Sequence, residues 1–90
     1  MALFFSGQST CPICKKIIAP DAAVVMTSAF LDSDHPLWRF NDAAIHYSCF
    51  ANWHLRTEFI RAFNEYWERN YRGMRVMLED GQIQEREPRR

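Results

Sequence analysis

Two short stretches constrain this chain more than any other feature: Cys11-Pro12-Ile13-Cys14 and His46-Tyr47-Ser48-Cys49. In each, two soft or borderline donors are separated by two residues, and 31 residues lie between the pairs. They contain all three cysteines of the chain. Three thiolates and an imidazole suit a tetrahedral zinc ion, and such a closed set of four protein donors is a structural arrangement. The prediction is therefore one structural zinc per chain, held by Cys11, Cys14, His46 and Cys49. The odd number of cysteines disfavours a closed disulfide framework. A redox Cys-x2-Cys pair expects a βαβ surrounding, which the sequence does not present. Buried free thiols beside an ordinary surface histidine are the plainer alternative. At 90 residues the chain has the size of one domain with a thin core, for which a metal staple is a common remedy.

The remaining elements read as α+β. Residues 1–6 are apolar and fit a short strand or arm. Residues 22–31 are rich in apolar and β-branched side chains and read as a strand. After a loop at 32–36, Leu37-Trp38-Arg39-Phe40 alternates around a charge and fits a returning strand, giving a hairpin. Asn41-Asp42 can cap a helical turn. A long helix is predicted over roughly 49–72, where Phe50, Trp53, Ile60, Phe63, Trp67 and Tyr71 recur on one face. Gly73 is a helix stop. Met74–Leu78 and Gln82–Gln84 flank Asp80-Gly81, a hairpin signal. Residues 1–84 are expected to form a single zinc-binding domain, and the polar residues 85–90 a disordered tail.

The ligand pattern resembles the treble-clef zinc fingers, and His46-Tyr47-Ser48-Cys49-Phe50 is similar to the corresponding segment of LIM-type fingers. The resemblance covers about residues 8–68. It implies a zinc knuckle, a β-hairpin, and a helix whose first turn carries the second ligand pair, the same order as the reading above. Two departures stand out. LIM-type domains pair two fingers, whereas this chain has ligands for one. Zinc knuckles often carry Gly soon after the second Cys, where this chain has Lys15 and Lys16, so a left-handed backbone there would be strained. Their ammonium groups would in turn offset the negative charge of three thiolates on a dication.

The pattern does not match zinc catalysis, which needs a position open to water. The deaminase order, His-x-Glu ahead of Pro-Cys-x2-Cys, is absent. Nucleases that share the treble-clef scaffold need a further histidine and a second metal. His35 in the hairpin loop, directly preceded by Asp34, and His54 on the helix are the candidates, but no His-His pair accompanies them. The expectation is a non-enzymatic binding module. A solvated turn is the plainer reading of His35, and a helix-surface position that of His54.

A hairpin of short strands covers one stripe of the aromatic helix. Leu55, Phe59 and Tyr66 form a second line beside it, with Arg56 and Arg69 near. Trp, Tyr and Arg are enriched at interface hot spots, so this face is predicted to bind a protein partner or a second copy of the chain. Alternatively, the N-terminal arm and C-terminal hairpin wrap it as core. Nucleic acid is the runner-up partner, and a small metal-dependent nuclease a third possibility. The net charge is zero, from 11 basic and 11 acidic side chains, which weighs against nucleic acid. No run approaches the roughly 18 apolar residues of a membrane span. The first residues lack the basic and apolar regions of a signal peptide. A reducing cytoplasm is the expected compartment.

Overall fold

The backbone between Ser9 and Ile18 doubles back in a tight turn. Thr10 and Ile17 form an antiparallel bridge. Inside it, Lys15 N–H donates to Cys11 O at 2.8 Å and Cys11 N–H donates to Lys16 O at 3.0 Å. Lys15 takes the left-handed conformation, φ 66°. This is the strain expected where a knuckle lacks glycine, about 1–2 kcal/mol for an L-residue.

A computed structural model describes residues 9–87. The expected strand or arm at 1–6 and residues 88–90 of the expected tail lie outside the described residues. Among those described, the chain is α+β, with two two-stranded antiparallel sheets and one long helix. Contacts divide it into two compact units, one ending at Asn52 and the next beginning at Trp53.

In the first unit, β1 (Val24–Met26) pairs with β2 (Ala44–His46). Val25 and Ile45 are direct partners and both are buried, so this cross-strand pair faces the core. Helix α1 (Tyr47–Ala51) follows β2 without a break, and Tyr47 N–H donates to Ala23 O at 2.9 Å. The expected hairpin is thus redrawn. The strand within 22–31 is three residues long, and its partner is 44–46 rather than 37–40. Trp38–Phe40 forms one turn of 3-10 helix. Leu37 and Phe40, three apart, are buried while Trp38 is exposed; this is helical spacing, not strand alternation. Asn41 closes the turn. Its Oδ1 accepts from Phe30 N–H at 2.8 Å and Leu31 N–H at 3.0 Å, and its Nδ2 donates to Trp38 O at 2.7 Å. A side chain that satisfies three backbone groups ties residues 30 and 31 to the turn and leaves them no ladder to join. Asn41 therefore ends a turn rather than capping a helix, and Asp42 behind it is left-handed, φ 52°.

In the second unit, α2 (Arg56–Tyr71) packs on β3 (Arg75–Met77), which pairs with β4 (Ile83–Glu85). The single helix expected over 49–72 is interrupted between Ala51 and Arg56. Asn52 Nδ2 donates back to Ser48 O at 2.9 Å. The interruption lets the Trp53 and Phe59 rings meet at 5.4 Å. Six residues apart on one helix, they would point about 240° apart. Asn64 clamps α2 to β3: its Oδ1 accepts Met77 N–H at 2.7 Å and its Nδ2 donates to Met77 O at 3.2 Å.

The glycine stop is in place. Arg72 and Gly73 are both left-handed, and Gly73 N–H donates to Trp67 O at 2.9 Å. The hairpin signal holds with one change. Gly81 N–H donates to Leu78 O at 2.9 Å with Gly81 at φ 87°, and Leu78 N–H donates to Gln82 O at 2.8 Å. The loop is therefore Glu79-Asp80-Gly81, a turn followed by a left-handed residue. Two residues of the expected tail are instead ordered against β3 and its approach. Glu85 is in β4 beside Arg75, its ion-pair partner at 3.3 Å, and Arg86 N–H donates to Met74 O at 2.7 Å. Among the described residues, no helix is long and apolar enough to cross a membrane.

Candidate metal centre

The first unit brings the two donor pairs together. The knuckle presents Cys11 and Cys14 from one turn. His46 ends β2, and Cys49 lies in the first turn of α1. One donor atom from each of the four lies within 4.8 Å of every other. Cys14 Sγ and His46 Nδ1 are 3.3 Å apart. In a tetrahedron with zinc–sulfur bonds of 2.3 Å and a zinc–nitrogen bond near 2.0 Å, the donors stand about 3.5–3.8 Å from one another. The group therefore needs only a small contraction to close around one ion. None of the three cysteines is in a disulfide. Cys11 is fully buried and the other three donors are half-buried.

The sulfur environments differ. Burial raises the Cys11 thiol, but N–H groups of Cys14, His46 and Ile13 outweigh it and hold Cys11 at about 7, below the ordinary 9.0. His46 N–H reaches Cys11 Sγ at 3.5 Å. Cys49 is pushed up to about 11, first by burial, then by the sulfurs of Cys14 and Cys11. Bringing three thiols together is unfavourable for thiolates unless a cation sits among them. The donor set fits a metal ion on this ground as well as on distance. The cluster can hold a metal.

His35 and His54 are not part of it. His35 Nδ1 accepts Leu37 N–H at 3.0 Å, so this ring closes a local turn, and His54 is exposed. Of the residues expected on a partner face, Phe59 must be reassigned. It is fully buried, and with Phe63 and Met77 it belongs to the core. Leu55, Arg56 and Tyr66 are half-buried and Arg69 is exposed. A hydrogen bond with Tyr71, then burial, raises the Tyr66 hydroxyl above its ordinary pKa.

The sequence reading missed Tyr71 and Met74 as surface residues; they are 44% and 42% exposed. The recurrence of apolar residues puts Tyr71 on the same helix face as Trp67. It does lie against Trp67, with ring centroids 4.5 Å apart, but at the end of α2, where the chain turns away at Arg72. The guanidinium of Arg75 lies 5.1 Å from the Trp67 ring centroid. The usable signal was Gly73: a helix about to stop leaves its last turn uncovered. No protein-family model, curated protein or solved structure matches the chain. What fold and site define is a small α+β chain with a cluster of three thiols and one imidazole able to bind a metal ion.

Proposed function

We propose that this chain is a non-catalytic binding module of the treble-clef type, stapled by one structural zinc and working through contact with another protein. The observation that carries the reading is the convergence of Cys11, Cys14, His46 and Cys49 within 4.8 Å. Three thiolates and an imidazole favour zinc among common metals, and four protein donors leave no site for a reactive water. The order of elements supports the treble-clef assignment: a knuckle with two donors, a paired β1 and β2, and a helix whose first turn carries the last donor. In this reading the zinc holds the knuckle to β2 and α1 and takes no part in a reaction.

The partner surface centres on the last turns of α2. Half-buried Tyr66, exposed Arg69, Tyr71 and Met74, and Arg75 bring together the residue types that dominate protein interfaces. Leu55 and Arg56, at the start of α2, are its outlying members. The working compartment is the cytoplasm, where thiolate zinc ligands stay reduced.

The test has two parts. Elemental analysis with X-ray absorption is expected to give one zinc per chain with three sulfurs and one nitrogen; an oxygen ligand in place of one of these rejects the structural-zinc reading. Affinity capture with wild type and with Tyr71→Ser/Met74→Ser is expected to show a protein retained by the first and lost by the second. Binding to RNA or DNA with a steep salt slope would instead identify phosphate contacts and replace the protein-partner reading.

A further inference from the structure

The three sulfurs of the cluster are not equivalent, and the difference points to chemistry beyond holding a metal. Cys11 is fully buried, and its sulfur accepts backbone N–H groups of Cys14, His46 and Ile13. Cys14 and Cys49 are half-buried. Both sulfurs belong to the group whose donor atoms all lie within 4.8 Å of one another. One comes from the knuckle and the other from α1, so a bond between them would join the same two elements that the ion joins.

We propose that Cys14 and Cys49 form an oxidation site for hydroperoxides, at which a disulfide between them replaces the zinc as staple. The inference rests on the zinc reading above for its resting state. The Cys49 thiolate attacks one oxygen of hydrogen peroxide. The O–O bond breaks, hydroxide leaves and takes a proton from solvent, and Cys49 becomes a sulfenic acid. The Cys14 thiolate then attacks the Cys49 sulfur. The S–O bond breaks, a second hydroxide leaves and is protonated, and the S–S bond forms. Two electrons pass from the two sulfurs to the peroxide, giving two waters. With two of its four ligands gone, the ion leaves.

Cys11 is kept out by position. Cys11 is fully buried, and an oxidant reaches a buried sulfur poorly. The closed disulfide ring spans Cys14 to Cys49. The bond needs sulfurs about 2.05 Å apart, and the two already lie within 4.8 Å. The knuckle and α1 therefore stay linked while the metal is gone, and a reductant with zinc restores the starting state.

The test uses the full zinc-loaded chain and hydrogen peroxide. Elemental analysis beforehand gives the zinc content. If no zinc is bound, the metal reading fails on its own, and the same oxidised sample still reports which sulfurs pair. The expected result is release of one zinc per chain to a chromogenic chelator, with a mass loss of two hydrogens from the protein. Fragmentation mass spectrometry after alkylation should place the label on Cys11 and the crosslink between Cys14 and Cys49. Dithiothreitol with zinc should reverse both changes, and the circular dichroism spectrum should persist throughout. A disulfide containing Cys11, sulfinic or sulfonic acid as the main product, or zinc retained under conditions that oxidise free cysteine would each overturn the proposal.

Discussion

Replacing Phe59 by Ala separates the core of the second unit from its surface. Phe59 is fully buried, and its ring sits 5.4 Å from that of Trp53. Truncating a buried Phe to Ala costs about 3–5 kcal/mol through lost transfer energy and the cavity left behind. The tilted ring pair is worth about 0.5–1.5 kcal/mol beyond its area, which lifts the expected loss off the bottom of that range, to about 4 kcal/mol. A chain of this length has roughly 5–13 kcal/mol in total, so the variant should remain folded only marginally. The assay is urea denaturation at saturating zinc, followed by tryptophan fluorescence. With a slope of about 1–2 kcal/mol/M, the midpoint should fall by about 2–4 M. Tyr66→Ser, at a half-buried position, is the companion, with an expected loss of about 1 kcal/mol. If Phe59→Ala stays within about 1 kcal/mol of wild type while losing its partner, Phe59 is a surface residue and its assignment to the core is wrong.

Lys15→Gly should stabilise the zinc-loaded chain by about 0.5–1 kcal/mol, because it relieves the left-handed strain at φ 66° at some cost in unfolded-chain entropy; a lowered melting temperature would contradict this. Thr27→Val should be neutral or stabilising by up to about 1 kcal/mol, since Thr27 Oγ1 is buried with no hydrogen-bond partner among the described residues, and a loss above about 1 kcal/mol would reveal a partner for that hydroxyl. Zinc binding at pH 8 should release protons. Cys11, lowered to about 7, is by then mostly thiolate, whereas Cys49, raised to about 11, still holds its proton and must lose it to bind. Apparent affinity should therefore keep rising with pH up to about 11. Calorimetry in two buffers of different ionisation enthalpy measures the release, and a pH-independent affinity between 7 and 9 would refute the assignment.

The donor set was legible in the sequence because coordination chemistry is demanding and local: each pair needs particular atoms two residues apart, and Cys11, Cys14, His46 and Cys49 supply them. The helix stop at Gly73 and the hairpin around Asp80-Gly81 were legible for a similar reason. A left-handed backbone strongly favours glycine, and Gly73 and Gly81 both adopt it. The knuckle shows how far such a rule reaches, since Lys15 accepts the same conformation where the surrounding turn imposes it.

Pairing and burial were settled elsewhere. Residues 37–40 alternate like a strand, yet Asn41 reaches back to Phe30 and Leu31 and fixes a turn. The helical periodicity from Cys49 onward runs straight through the interruption ahead of Arg56, where Trp53 makes a contact with Phe59 that an unbroken helix would deny it. The sequence showed that α2 carries two apolar lines; only packing chose Phe59 and Phe63 for the core and left Tyr71 outside. Periodicity records which side chains share a face. Which face is buried depends on where distant segments such as β3 come to rest, and that is decided by contacts the local pattern does not contain.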